Sequence, residues 1–125
     1  MTKDELDAVS EKIIGAAYKV SNTLGAGFLE KVYENALAHQ LRKDGMGIEQ
    51  QRPIKVYYDD VVVGEYFADL IVEESVIVEL KASKRIEDVY LAQTLNYLKA
   101  TGLKLGLIIN FGKPRVEIKR VVNKL

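Results

Sequence analysis

Residues 105–111 read Leu-Gly-Leu-Ile-Ile-Asn-Phe, an almost unbroken apolar run that follows Lys104. A run this short, with no polar alternation, is the pattern of a central strand buried on both faces. A chain holding such a strand must cover it on both sides, so the rest of the sequence has to supply helices and partner strands. At 125 residues the chain is long enough for one domain, 1–125, around a single core.

The flanking segments have the required periods. Thr2 and Glu5 have capping-box spacing, and Leu6, Val9, Ile13, Ala16, Ala17 and Val20 then recur at threes and fours. Leu24-Gly25-Ala26-Gly27 ends that first helix. A second helix is expected from Phe28 to Lys43, with Phe28, Val32, Ala36 and Leu41 on its buried side. From Ile48 the period falls to two. One strand holds Ile54, Val56 and Tyr58, and Asp59-Asp60 is its hairpin turn. The return strand, Val61 to Val72, places Val62, Tyr66, Ala68, Leu70 and Val72 on one face and Asp69 on the other. Glu73-Glu74 turns into Val76–Lys81. A third helix follows Glu87-Asp88 and closes at Thr101-Gly102, with Val89, Leu91, Leu95 and Leu98 as its packing side chains. After the apolar strand, Arg115 to Val122 alternates charge and apolarity as an edge strand would. The order is ααβββαββ, an α/β domain on one mixed sheet.

Lys and Arg balance Asp and Glu at 18 each, so no global field draws the chain to nucleic acid. There is no cysteine, which excludes a disulfide framework and a thiolate metal site. No segment has the form of a signal peptide or membrane span, and a cytoplasmic location is the expectation.

Within Ser75–Ser83, Glu79 and Lys81 share one face of an otherwise apolar strand. They are either a salt bridge or part of a site. With Asp69 one hairpin earlier, the second reading acquires a metal: Asp69, Glu79 and the carbonyl of Leu80 suit Mg²⁺, which needs only one or two carboxylates and keeps several waters. Lys81 would orient a water and stabilise charge developing on a phosphate. That chemistry suits phosphodiester hydrolysis. Glu-x-Lys alone carries little weight, because Glu117-x-Lys119 repeats it on what reads as a solvated edge-strand face. Glu30 lies near the head of helix two, with Tyr33 and Glu34 after it. Tyr90, Gln93 and Tyr97 form a polar-aromatic stripe on helix three. His39, the only histidine, is expected on a helix surface.

Gly27-Phe28-Leu29-Glu30-Lys31-Val32-Tyr33 resembles the GxxExxY motif of a family of small prokaryotic proteins. Ala68-Asp69, Glu79-Leu80-Lys81, Gln93 to Leu98 and Ile109 to Gly112 resemble that family in order and spacing, over nearly the whole chain. The family is grouped with the PD-(D/E)XK nuclease superfamily. The resemblance implies a restriction-endonuclease-like αβββαβ core, a mixed sheet flanked by helices, with an extra N-terminal helix and a C-terminal edge strand. It implies a Mg²⁺- or Mn²⁺-dependent nuclease acting on DNA or RNA, with Asp69, Glu79 and Lys81 as motif residues and Glu30 as a further metal ligand. Gln93 and Tyr97 would match a Gln-x-x-x-Tyr pattern that supports the site. Ala68 stands where the motif has proline, a position that is not a ligand. A homodimer is the expected way for so small a chain to grip a duplex. The rival expectation is a non-catalytic nucleic-acid- or protein-binding regulatory module on the same fold.

Overall fold

Capping sets the first element. In the computed structural model, which describes residues 1–125, α1 spans Lys3–Leu24. Glu5 N donates to Thr2 Oγ1 at 3.1 Å and Thr2 N donates to Glu5 Oε1 at 3.0 Å, the reciprocal pair that the spacing predicts. All six stripe residues from Leu6 to Val20 are buried. The helix stops where Gly25 takes φ +71°.

The second helix, α2, spans Glu30–Lys43 and starts two residues later than expected. Tyr33 accounts for this. Its hydroxyl donates to Gly25 O at 2.6 Å and accepts from Phe28 N at 3.2 Å, holding the incoming turn outside the helix. Its ring stacks on Phe111 with centroids 4.7 Å apart and planes 4° apart. That stack fixes the helix phase. Tyr33, Leu37, Ala38 and Leu41 are buried, whereas Phe28 and Val32 are exposed and Ala36 is only partly covered. Leu41 is buried as expected, but the first half of the expected stripe is displaced by one residue, about 100° of helix rotation.

Strands β1 (Ile48–Tyr58) and β2 (Val61–Val72) form a long hairpin, and β3 is Val76–Lys81. Both turns use paired left-handed residues: Asp59 and Asp60 at φ 50° and 62°, Glu73 and Glu74 at 53° each. The first is a two-residue hairpin loop, which requires this twist; the second spans three residues, Glu73 to Ser75, with Ser75 N donating to Val72 O at 3.0 Å. Helix α3 (Asp88–Thr101) crosses over to β4 (Leu105–Asn110), which pairs parallel to β3, and β5 (Glu117–Val122) closes the far edge. The sheet order is β1-β2-β3-β4-β5. The order of elements is the one expected from the sequence.

Helices cover both faces. Val76, Val78 and Leu80 pack with α1 and α2, while Ile77 packs with Tyr97 and Leu98 of α3. Every residue of β4 is buried, as its apolar run predicts. At Gly106 a Cβ would stand 2.8 Å from Thr94 Cγ2, so glycine is what lets α3 come this close to the sheet. Val89 is exposed, contrary to its expected packing role. It lies in the first turn of α3, whose buried residues are Thr94, Tyr97 and Leu98.

Ala68 was expected to share a face with Leu70 and Val72. Instead it packs with Ile54 on the α3 side, while Leu70 and Val72 face α1 and α2. The β1–β2 ladder is interrupted between the pairs Gln50–Leu70 and Arg52–Ala68, where Gln51 takes φ 53°. The register is the same on either side, so no residue is inserted; the left-handed backbone at Gln51 marks the point where side chains exchange faces. It falls at Asp69.

The end of β4 is tied to the loop after β3 by one side chain. Asn110 Oδ1 accepts from Ser83 N and Gly112 N, each at 3.0 Å, and its Nδ2 donates to Ser83 O at 2.9 Å. A Cβ on Gly112 would overlap the Ser83 backbone. Gly112→Ala is expected to cost ~3 kcal/mol of stability or more, because backbone cannot yield as a side chain can. Gly15→Ala, in the exposed middle of α1 with nothing near its added Cβ, is expected to stabilise by ~0.5–1 kcal/mol. Urea denaturation of both variants checks the contrast.

Candidate active site

The β2–β3 ladder runs through the pairs Val72–Val76, Ile71–Ile77 and Leu70–Val78. The next pair in this register is Asp69 opposite Glu79, and here the regular ladder ends. Side chains take over the backbone hydrogen bonds. Asp69 N donates to Glu79 Oε2, and Leu80 N donates to Asp69 Oδ2, both at 2.9 Å. Each carboxylate thus satisfies a strand N–H that would otherwise be left without a partner. The pair is brought together by the hairpin, each carboxylate bonded to the other's strand.

Glu79 is almost wholly buried, at 5% exposure. Burial, and then the negative charge of Asp69 beside it, push its carboxyl up to about 8; Lys81 offsets this only weakly. Two carboxylates this close in a dry setting do not both ionise unless a cation joins them.

Asp69 Oδ1 accepts from Gln51 Nε2 at 3.2 Å, and the same amide donates to Glu34 Oε1 at 2.8 Å. The other Glu34 oxygen accepts from Gln50 at 2.8 Å and from Lys31 at 3.1 Å. Glu34 is buried on α2, so this relay ties the helix to the acid pair. Glu30 opens α2. Partial burial raises its carboxyl; Lys81 opposes that, and Asp69 and Glu34 add to it.

Lys81 settles the first ambiguity of its strand. It joins no ion pair; its ammonium instead lies 4.4 Å from the centroid of the Tyr90 ring. The salt-bridge reading is not realised. Tyr97, buried on α3, has its hydroxyl pushed up to about 12, by burial first and then by the charge of Glu79. Gln93, one turn back, favours the ionised form and opposes this rise. The charges of Glu30, Asp69, Glu79 and Lys81 thus act on one another across α2, β2 and β3, and Tyr97, with Gln93 beside it, feels both acids Asp69 and Glu79 from α3.

A profile of the PD-(D/E)XK nuclease superfamily matches residues 7–121, nearly the full chain. The chain belongs to the PD-(D/E)XK nuclease superfamily. Comparison with curated proteins and with solved structures yields no significant match. The five-stranded mixed sheet with its three helices is consistent with the restriction-endonuclease-like fold of that superfamily. Members of the superfamily typically use divalent metals.

The donors here fit such an ion by type: Asp69, Glu79 and Glu30 offer hard carboxylate oxygens, and their mutual repulsion is what a cation would relieve. Nowhere in the molecule do three or more Asp, Glu or His side chains close into a ready-made cage. The main-chain group of Leu80 that meets this acid pair is its N–H, which donates to Asp69.

Sequence reasoning missed several members of this arrangement. Gln51 is placed by a left-handed backbone that no motif marks. Glu34 was visible only as the residue at i+4 from Glu30. The Lys81–Tyr90 contact joins a strand to the next helix. Glu117 was read as surface decoration, yet it accepts from Ile86 N at 3.0 Å and from Asn110 Nδ2 at 3.3 Å, and the Asn110 bond holds its carboxyl below the usual range. It anchors the loop before α3. His39 is exposed, as expected.

Proposed function

We propose that this protein is a Mg²⁺- or Mn²⁺-dependent nuclease of the GxxExxY branch, hydrolysing phosphodiester bonds of DNA or RNA in the cytoplasm. The observation that supports this best is the break in the β2–β3 ladder. There Asp69 and Glu79 face each other across two strands, and Lys81, free of any ion pair, follows on the same strand. A structural salt bridge would have consumed the lysine.

Asp69 and Glu79 would hold the ion, with Glu30 and the Leu80 carbonyl as further oxygen donors. When bound, Mg²⁺ or Mn²⁺ supplies Lewis acidity toward the phosphodiester and lowers the cost of forming hydroxide near pH 7. The chain's own residues do the rest. Gln51 and the Leu80 N–H fix both oxygens of Asp69, so the carboxylate does not reorient when a cation arrives. The Lys81 ammonium, steadied over Tyr90, would stabilise negative charge developing on the phosphate. Gln93 and Tyr97 flank the acids from α3 and would position the strand to be cut.

The test is cleavage of labelled DNA and RNA in Mn²⁺ by purified protein beside Asp69→Ala. The parent is expected to cut and the variant to lose at least ~100-fold in rate. Equal cleavage by the two would assign the activity to a contaminant and sink the proposal.

A further inference from the structure

Between the distal half of the β1–β2 hairpin and α3 lies a cleft of about 680 Å³, within the range of roughly 300–1,000 Å³ that ligand-holding clefts occupy. Its wall includes Lys55, Tyr57, Tyr66, Gln93, Asn96 and Lys99. Three features of these side chains point the same way.

The first is aromatic. Tyr57 is 60% exposed and joins no ring pair, and Tyr66 is exposed with its ring tilted 5.6 Å from that of Tyr97. The second is the pair of amides, Gln93 and Asn96, which supply donors and acceptors on α3. The third is charge. Lys55 and Lys99 are the only ionisable residues of the lining besides its tyrosines, and neither is in an ion pair; Glu65, across the ladder from Lys55, does not pair with it. A second copy of the chain is a poor occupant. A two-fold contact sets a patch against itself, so lysines would meet lysines with no acid between them. A polyanion carrying flat, hydrogen-bonding rings matches all three features. Bases inside a duplex cannot present their faces to such a wall.

We infer that this cleft seats an unstacked base of a single-stranded nucleic acid, with Tyr57 and Tyr66 as its stacking surface and Lys55 and Lys99 on the adjoining phosphates. The inference rests on the nuclease reading, because the cleft shares Gln93 and Tyr97 with the candidate active site. It adds the substrate class: a single strand, or the single-stranded end of a duplex.

The test is fluorescence anisotropy in EDTA, so that binding is read without cleavage. The probes are a labelled oligothymidylate, a strand of the same length without bases, and a duplex. The oligothymidylate is expected to bind ~10-fold more tightly than the base-free strand, and Tyr57→Ala to erase that difference. Tyr57 is exposed on the hairpin, so its loss spares the core. Asn96→Ala, exposed on α3, gives a second reading from the opposite wall and is expected to weaken oligothymidylate alone. Equal affinity for strands with and without bases would overturn the inference. So would unchanged binding by both variants, or a dimer in sedimentation that Tyr57→Ala dissolves. Base-dependent binding with no cleavage in Mn²⁺ would keep the cleft and sink the nuclease. Cleavage without base dependence would do the reverse.

Discussion

Lys81→Met is expected to lower phosphodiester cleavage by ~10²–10³-fold, the usual loss when one preorganised charge aimed at the reacting group is removed. The protein should stay folded. Lys81 is only partly buried and in no ion pair, and its interaction with the Tyr90 ring is worth ~0.5–1 kcal/mol. Methionine keeps the apolar stem against that ring. A denaturation midpoint near the parent's, together with lost cleavage, is therefore the expected pairing. Retained cleavage would remove Lys81 from the chemistry and leave its position unexplained by the proposed reaction.

Glu79→Gln is expected to stabilise the metal-free protein at alkaline pH. The folded-state carboxyl titrates at about 8, against 4.5 for an unperturbed glutamate. Below pH 4.5 it is protonated in both states and contributes no difference. Between pH 4.5 and 8 the unfolded chain releases a proton that the folded chain retains, so stability falls as pH rises through that window and is level above it. Glutamine removes this loss. Its carbonyl can still accept from Asp69 N, and its amide can donate to the Asp69 carboxylate. The variant should therefore match the parent near pH 4.5 and exceed it at pH 8 by on the order of 4 kcal/mol. Urea denaturation in EDTA across this range measures the difference. A difference that does not vary with pH would mean that Glu79 ionises normally. Adding Mn²⁺ at pH 8 should stabilise the parent, where the ion replaces the proton between the two carboxylates, and the variant much less.

Much of this architecture is legible without coordinates because its causes are local. Thr2 and Glu5 cap α1 within one turn, Asp59-Asp60 and Glu73-Glu74 supply left-handed turn residues, and the run from Leu105 to Phe111 admits no exposed face. Each signal lies among neighbours in the chain, so period and turn chemistry yield the element order. Because the second turn sets the β2–β3 register, Asp69 and Glu79 are also brought opposite each other.

Long-range contacts decide the remainder. The phase of α2 follows from Tyr33 stacking on Phe111, a partner at the far end of β4 that no helical period reveals. The reversal at Asp69 depends on Gln51 taking a left-handed backbone in the adjacent strand, and Glu34 is buried because Gln50, Gln51 and Lys31 converge on it. For Glu79 and Lys81 the residue types and two-residue spacing are written in the chain. Whether the lysine pairs with the acid or stands free is not. The acid spends one oxygen on Asp69 N and the ammonium lies over Tyr90, because the partners that compete for each charge arrive from other strands and helices.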